Sequence, residues 1–395
     1  MIRAPAADRI GQESKNPSRA LDARPVLRRC SLTPMLRRLA GVRRAPAGLV
    51  LAGALAFALL LPGGGAQASG ASTPPALAFV TGTATSPEAV WVANAAGGEA
   101  RRLGEGSDAL LAPDGMSVAA SLAGSSGETG PAVALYSTAG ATTLTYLDRT
   151  KVSVQPLAWS TDSRYLALDL FPANAKPGEA GLDVLDTTTG TLAAIAHGNV
   201  YGASFAPDGT DRITYGLAHG ESVNAAVNLY VASPVGGGLT AVTHDGRSLN
   251  PLWGPAGVVY DRERLRRNFA PEYQLWLKPS ASASRRLTKL HVGRLVSGLV
   301  PVAFSSGGGR LLAEFEGQDT SEAWTVTLAS RRARRVKAGR HFVQGAGISR
   351  DGSTLLLDVD GFENPPSSGR IATLPFAGGP LKVLVAHGAQ ASWSE

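Results

Sequence analysis

The chain has 395 residues, a formal net charge of +7, 17% charged residues and one cysteine, Cys30. Eleven of its 38 basic residues and three of its 31 acidic residues lie within the first 68 positions, so the remainder holds 27 basic and 28 acidic residues. This near-neutral remainder gives no reason to invoke nucleic acid or an anionic membrane surface as a partner, and it lacks the cysteines needed for disulfides, a thiol nucleophile or a cysteine metal site.

The first 68 residues have the order of a secretory signal. Four arginines between positions 37 and 44 precede an uncharged, largely apolar run over 45–62, and Ala66-Gln67-Ala68 follows as a small-residue cleavage site. We predict a leader over 1–68, with Met35 as an alternative start, and a mature domain over 69–395. An uncleaved membrane anchor is the alternative, because an apolar run of about 17 residues is near the lower limit for a span.

A turn motif recurs roughly every 47 residues in the mature part. The fourth residues of successive copies are 48, 46, 48, 51 and 44 positions apart. Proline restricts φ, aspartate can accept a hydrogen bond from its own turn, and glycine accepts positive φ, so each copy predicts a tight reversal between two strands. The six copies are Leu111–Gly115, Trp159–Ser163, Phe205–Gly209, Trp253–Gly257, Phe304–Gly308 and Ile348–Gly352.

Three further short apolar segments accompany each turn copy, and the mature part has no helical period. Four short strands per repeat is the pattern of a propeller blade. The sequence therefore predicts an all-β protein, a single β-propeller of seven four-stranded blades. All six tryptophans fall on first or third strands, where we expect them to form core between blades; they are Trp91, Trp159, Trp253, Trp276, Trp324 and Trp393.

The two ends of the mature chain complement each other. It starts with a second strand at Leu77–Val80 that has no first strand, and it stops after a first strand at Ala391–Ser394 that has no second strand. We expect the two segments to pair in one blade. Such pairing would close the ring and remove an exposed sheet edge.

The turn with its following apolar strand resembles the TolB-like, WD-repeat-like propeller repeats of exported bacterial proteins, over essentially the whole mature chain. The resemblance implies the fold and an interaction surface without implying one activity. TolB itself has a separate N-terminal domain and six blades, so its role and partners are not transferred. The chain has no Gly-x-Ser-x-Gly, His-Glu-x-x-His, phosphate-binding loop or dinucleotide fingerprint, which argues against a hydrolase domain.

Carboxylates recur at the end of the second strand, at Asp169, Asp261, Glu314 and Asp358, with Glu316 and Asp360 two residues further on. From the strand spacing we expect neighbouring copies about 10 Å apart, suited to an extended ligand. Five histidines also follow the repeat, at 197, 244, 291, 341 and 387. Copies on adjacent blades would lie more than about 15 Å apart, too far to share one ion, so no metal and no cofactor is expected.

Three long loops between second and third strands are expected to open on the same face, over 171–181, 262–274 and 360–369. The second loop holds Arg264, Arg266 and Arg267 with nearby aromatic residues, a set that could grip an anionic partner. A solvated loop without a binding role is the alternative.

We therefore expect an extracytoplasmic, monomeric, non-catalytic scaffold that binds a protein, peptide or glycan of the cell envelope. No nucleic acid and no stable membrane insertion after cleavage are expected. Two alternatives stay open. One is a propeller-type enzyme, such as a polysaccharide lyase or hydrolase, with its site at the channel mouth, and the other is a structural element of the envelope.

Overall fold

The computed structural model describes residues 76–83, 86–122, 130–140, 143–148, 152–172, 180–220, 225–264, 271–290, 297–317, 320–361 and 368–394. Within these ranges the chain forms 28 β-strands and no α-helix. No helix in the described part of the chain has the length and hydropathy needed to cross a membrane. The predicted leader, Arg266, Arg267 and His291 lie outside the described residues.

The strands follow one another in short meanders. In chain order they are β1 Leu77–Thr83, β2 Ser86–Ala93, β3 Arg101–Glu105, β4 Ser107–Leu111, β5 Ser117–Ser121, β6 Pro131–Ser137, β7 Thr143–Asp148, β8 Val152–Trp159, β9 Tyr165–Pro172, β10 Gly181–Asp186, β11 Thr191–His197, β12 Val200–Phe205, β13 Ile213–His219 and β14 Ala226–Ala232. The second half comprises β15 Thr240–Ala241, β16 Ser248–Gly254, β17 Gly257–Arg264, β18 Glu272–Lys278, β19 Arg285–Arg286, β20 Ser297–Phe304, β21 Arg310–Gly317, β22 Ser321–Thr327, β23 Arg332–Arg335, β24 Val343–Ile348, β25 Thr354–Val359, β26 Arg370–Pro375, β27 Lys382–Val385 and β28 Ala389–Trp393.

These strands make five four-stranded sheets and one eight-stranded sheet, counted over the described residues. The eight-stranded sheet consists of two meanders, β16–β19 and β20–β23, that join through a short parallel pairing of Glu272 with Ser297 and Tyr273 with Gly298. The sheet that contains β1, β2 and β3 takes its fourth member from the other end of the chain, because β28 pairs antiparallel with β1. We number the strands of each group from first to fourth in chain order and count β28 as the first strand of its group.

The predicted turn chemistry forms the reversals between first and second strands. Aspartates at the turns accept a hydrogen bond from the backbone N–H two residues on, at 2.8 Å for Asp114 and 2.9 Å for Asp351. Gly115 and Gly352 follow with φ of 70°, a left-handed conformation that glycine adopts without strain. The local sequence thus sets the position of each reversal.

The hydrophobic core lies between neighbouring sheets. One cluster joins Ala78 and Val90 of the first sheet to Leu111 and Tyr136 of the next. Another joins Leu356 and Ile371 near the end of the chain to Leu77 and Phe79 near its start, with Trp91 and Trp393 packed against it. Trp159 belongs to the core, and Trp253, Trp276 and Trp324 pack against other clusters, as the repeat positions predicted.

The first strands of the groups lie beside one another. β4 packs against β8, and each of the strands β8, β12, β16, β20 and β24 packs in the same way against the next one, ending at β28. β28 in turn packs against β4. Because strands alternate in direction, the ends of second strands and the beginnings of first strands lie along one common edge of this arrangement.

Candidate functional site

The four carboxylates predicted from the repeat occupy equivalent positions at this common edge. Asp169 lies on β9, Asp261 on β17, Glu314 on β21 and Asp358 on β25. Each lies three positions after the second-strand residue that pairs with the first residue of the turn motif, for example Leu355 opposite Ile348 and Val258 opposite Trp253. The equivalent positions in the other groups are Val80, Ser121 and Gly216.

Every first strand has a β-bulge where it pairs with its second strand. The pairing register between first and second strand shifts in all seven described pairs. A bulge bends the strand and leaves backbone groups outside the regular ladder, and such groups need other partners. In four of the seven pairs the bulge contains a left-handed residue, and these residues are Asp108, Gly202, Asn250 and Gln390.

Two of the carboxylates accept hydrogen bonds from backbone N–H groups in the bulge of the next group. Asp358 accepts hydrogen bonds from the backbone N–H of Gln390 at 2.8 Å and of Ala391 at 3.3 Å. Glu314 accepts from the Gly345 N–H, from the Gln344 side chain at 3.1 Å and from the Ser321 hydroxyl. Burial raises the pKa of Asp358 to about 7 and also raises the pKa of Glu314, while these bonds oppose both shifts. Both side chains therefore join neighbouring groups of strands.

Where the bulge of the next group contains proline, a carboxylate cannot accept a backbone hydrogen bond at this position. The bulge after Asp261 has Pro301 at the position of Gln390, and proline has no N–H to donate. The bulge after Ser121 likewise contains Pro156, and Ser121 instead donates its hydroxyl to the Val154 carbonyl at 2.8 Å. A hydroxyl donor suits a proline bulge, whereas a carboxylate finds no backbone donor there.

Asp169 and Asp261 keep unused acceptors. Asp169 is 2% exposed and Asp261 is 1% exposed, and each has one carboxylate oxygen without a hydrogen-bond partner among the described residues. Burial raises the pKa of Asp169 to about 8 and that of Asp261 to about 7; a hydrogen bond with the Asn250 side chain partly offsets the shift at Asp261. Buried polar atoms are nearly always bonded, so these two oxygens mark the candidate ligand contacts.

A second row of carboxylates stands two residues further along three neighbouring second strands. It consists of Glu263 on β17, Glu316 on β21 and Asp360 just after β25. Burial, Glu314 and Asp261 raise the pKa of Glu316 well above its ordinary value. The sequence interpretation missed Glu263, although the two-residue strand period that identified Glu316 and Asp360 also selects it. It also missed Asp108, whose pKa burial raises at the bulge of β4.

The predicted arginine cluster is represented by Arg264, which lies exposed at the end of β17. Its neighbour Arg262 forms an ion pair with Asp245 at 2.8 Å and lies over the Trp276 ring at 4.5 Å from the ring centre. Arg262 thus packs against its own sheet. The other two predicted arginines, Arg266 and Arg267, lie outside the described residues.

One repeat histidine meets a carboxylate and an arginine. His341 Nδ1 lies 2.9 Å from Asp360 Oδ2, and Arg370 donates to the same oxygen. The Phe342 N–H bonds the other Asp360 oxygen at 3.2 Å. Burial opposes the ionisation of Asp360, but the bonds from Arg370, His341 and Phe342 outweigh it and lower its pKa. The His341 side chain is 43% exposed, so the set lies at the surface.

The geometry does not favour a shared metal ion. Among the described residues, no three His, Cys, Asp or Glu side chains are placed to hold one. His197 is the last residue of the fourth strand β11, and His244 and His387 follow the fourth strands β15 and β27, so the three histidines lie in separate groups of strands. The carboxylates are instead spread along neighbouring strands, an arrangement that offers separate hydrogen-bond acceptors.

Comparison with known proteins defines the fold class. No protein-family model and no curated protein matches the chain. The β-propeller domain of the Trilobed protease from Pyrococcus furiosus, described as having an open velcro topology, is similar at a TM-score of 0.59 and 13% identity, over 80% of this chain and 94% of that one. The acylaminoacyl peptidase of Pyrococcus horikoshii matches at a TM-score of 0.56 and 11% identity, over 80% of this chain. The chain spans about half of that peptidase, covering 51% of it.

These similarities confirm the predicted β-propeller fold and, at such identities, nothing beyond the fold. The solved structures that match also include TolB from Acinetobacter baumannii, at a TM-score of 0.44 and 13% identity, over 72% of this chain and 65% of that one. A score at that level carries no argument about the type of repeat. The chain is a β-propeller whose common edge carries buried carboxylates.

Proposed function

We propose that the chain is an exported, non-catalytic β-propeller scaffold that binds a protein, peptide or glycan of the cell envelope at its common edge. The observation that carries this proposal is the pair Asp169 and Asp261, each buried at that edge with an unused carboxylate oxygen. An unbonded buried acceptor costs folding free energy of about 1–3 kcal/mol, and a ligand that donates to it would recover part of that cost.

Seven blades in a closed ring are part of the proposal. Seven groups of strands support it, if the two meanders of the eight-stranded sheet are counted separately. The succession of first-strand contacts that returns from β28 to β4 supports closure, and so does the pairing of Leu77 with Trp393. A closed ring gives the edge a fixed geometry, and loops on a rigid scaffold are suited to binding.

Export is supported by the order of basic, apolar and small residues in the leader. Cleavage after Ala68 would leave Ser69 at the N-terminus. Expression of the full chain in an exporting host, followed by intact mass analysis, tests this point. Full-length mass in the membrane fraction would instead support the uncleaved anchor.

The binding function is tested by capture from envelope extract and on a glycan array. The wild-type protein is compared with Asp169→Asn and with Val235→Ser, a control at an exposed residue in the turn between β14 and β15 on the opposite edge. We expect Asp169→Asn to weaken capture and Val235→Ser to leave it unchanged. Equal capture by all three proteins would contradict binding at the common edge.

A second candidate function is a propeller-type enzyme, a polysaccharide lyase or hydrolase. The observation that favours it is the contact of His341 with Asp360 beside Arg370, because a histidine oriented by a carboxylate can transfer protons. The test incubates the protein with a panel of polysaccharides and measures new reducing ends and unsaturated products. Activity that His341→Gln abolishes would replace the scaffold proposal, and inactivity over the panel would support it.

A further inference from the structure

Three consecutive groups of strands concentrate negative charge at the common edge. β17, β21 and β25 each carry one of the repeat carboxylates, namely Asp261, Glu314 and Asp358, and a second carboxylate follows each of them two residues later. β20 packs against β16 and β17, and β24 packs against β20 and β21, so the three groups are neighbours. We name five of these side chains the acidic arc: Asp261, Glu263, Glu314, Glu316 and Asp358.

The charges of the acidic arc act on one another. Burial is the main cause of the raised pKa of Glu316, Asp358 and Asp261, and neighbouring carboxylates raise it further: Glu314 and Asp261 act on Glu316, Glu314 acts on Asp358, and Glu263 acts on Asp261. The charged neighbours that shift these three groups are thus all carboxylates. The sixth carboxylate of the series, Asp360, differs because Arg370 and His341 bond it. The arc is therefore a concentration of like charge, and a bound cation would relieve it.

The arc also contains an acceptor that the fold does not use. Asp261 is 1% exposed, and its Oδ1 has no hydrogen-bond partner among the described residues. Asp261 lies one strand group before Glu316 and its charge raises the pKa of Glu316, so the Asp261 side chain belongs to the same cluster. Glu314, Glu316 and Asp358 retain some accessible surface although burial dominates their pKa shifts. These three side chains are therefore buried in large part while remaining partly exposed at the common edge.

The arrangement of the arc discriminates between kinds of cation. A metal ion needs its ligands gathered within about 2–2.6 Å of one point. In the described part of the chain no three acidic or histidine side chains are gathered in that way. An ammonium group carries three donors and a guanidinium five, directed outward toward separate acceptors. Carboxylates spread over neighbouring strands match these organic cations.

We propose that the acidic arc binds an organic cation, a primary ammonium or guanidinium group that forms part of the ligand. The inference rests on the proposed binding function and specifies the chemistry of its ligand. The cation would bond the unused oxygen of Asp261 and the carboxylate of the partly exposed Glu316. Because these groups hold protons more tightly than ordinary carboxyls, binding would displace protons into solution.

The proposal is tested by isothermal titration calorimetry on the protein that an exporting host produces from the full chain. The probes are acetyl-Gly-Arg-Gly-amide, acetyl-Gly-Lys-Gly-amide, spermidine, glucosamine and Ca²⁺, with acetyl-Gly-Gln-Gly-amide as the neutral control. We expect saturable binding of at least one organic cation, and the preferred probe would show whether a peptide, a polyamine or an amino sugar is the source. Tightest binding of Ca²⁺, equal binding of the neutral peptide, or no saturable binding of any cationic probe would overturn the proposal.

A matched pair of variants locates the binding. Glu316→Gln removes one charge without removing a described hydrogen bond, and Glu99→Gln makes the same change at an exposed residue in the turn between β2 and β3 on the opposite edge. We expect Glu316→Gln to weaken cation binding at least tenfold at pH 8, with an unchanged melting temperature confirming the fold, and Glu99→Gln to have no effect. Equal affinity of the two variants would overturn the assignment to the arc.

Proton release gives a readout that a purely structural role of the arc would not produce. Titrations in two buffers of different ionisation enthalpy should give different apparent binding enthalpies for the wild-type protein and a smaller difference for Glu316→Gln. Equal enthalpies in the two buffers would contradict proton displacement. If Asp169→Asn weakens capture of an envelope ligand and Glu316→Gln does not, the scaffold proposal is supported and the cation site is refuted. Loss of both would be consistent with the two proposals together.

Discussion

The Asp358 carboxylate at the end of β25 accepts a hydrogen bond of 2.8 Å from the backbone N–H of Gln390 in the terminal strand β28. The Gln390 side chain in turn accepts a hydrogen bond of 2.7 Å from the Asp108 N–H in β4. The last strand of the chain therefore connects the last group of strands to the group that begins with β4. Its contacts reach residues more than 280 positions earlier, so much of the stability of the fold should depend on a few C-terminal residues.

Deletion of residues 390–395 should strongly destabilise the protein. It removes the pairing of β28 with β1, the apolar contacts of Ala391 and Trp393, and the acceptors for β4. We expect a loss of several kcal/mol in the free energy of unfolding, or aggregation through the exposed edge of β1. Melting temperature and light scattering measure the effect, with deletion of residue 395 alone as control. An unchanged melting temperature would refute ring closure by β28.

Two equivalent serines should differ in their contribution to stability. Ser392 Oγ accepts from the Leu111 N–H at 2.9 Å and donates to the Ala109 carbonyl at 3.0 Å. Ser204 occupies the same position in β12, accepts from the Trp253 N–H at 3.0 Å and donates to the Phe205 carbonyl at 3.5 Å. We expect Ser392→Ala to cost about 1–3 kcal/mol and Ser204→Ala to cost less, because the bond that Ser204 donates is longer and therefore weaker than the one that Ser392 donates. Urea denaturation with unchanged m-values checks the order, and a larger cost for Ser204→Ala would contradict it.

Stability should fall as the pH rises through the buried carboxylates. Burial raises the pKa of Asp169 from its ordinary value of 3.8 to about 8, so the folded protein keeps a proton that the unfolded chain has lost across this interval. The stability that this bound proton contributes is fully present below the pKa of the unfolded chain, 3.8, and is lost as the pH rises to the pKa of the folded protein, about 8. The slope for one group is at most about 1.4 kcal/mol per pH unit. Asp261 and Asp358 act in the same direction up to about pH 7.

Melting temperatures between pH 5 and pH 8.5 measure this dependence. We expect the wild-type protein to melt at a lower temperature at pH 8.5 than at pH 5. Asp169→Asn should flatten the slope, because it removes the ionisation. Asp114→Asn, a control at an exposed turn residue, should keep the wild-type slope. A wild-type melting temperature that rises steadily over this range would contradict the assigned pKa directions.

Gly254 should tolerate no side chain. A β-carbon at this position would lie 2.4 Å from Cδ2 of the Phe304 ring, which belongs to the core of the neighbouring meander. Forcing an extra carbon into a packed core costs about 1–3 kcal/mol, so Gly254→Ala should lower the melting temperature by several degrees. Gly307→Ala is the matched control, because no atom lies within 4 Å of its β-carbon position. Equal melting temperatures for the two variants would contradict the packing of Phe304 against β16.

Much of the architecture follows from local sequence. Turn residues such as Asp114 and Gly115 act within a few positions, so each reversal could be predicted without knowledge of the rest of the chain. The repeat placed Asp169, Asp261, Glu314 and Asp358 at the ends of second strands and hence at one edge, where the structure has them, and the two-residue strand period added Glu316 and Asp360. The same period would also have selected Glu263 had it been applied to β17.

The chemistry of each carboxylate, in contrast, depends on the neighbouring group of strands. Asp358 meets the N–H groups of Gln390 and Ala391, whereas the bulge after Asp261 contains Pro301, which has none. The repeat makes Asp261 and Asp358 equivalent, so their own sequence positions do not separate a bonded carboxylate from one with an unused oxygen. Only tertiary structure decides this difference, because burial and the bulge of a distant strand determine which backbone donors each carboxylate meets.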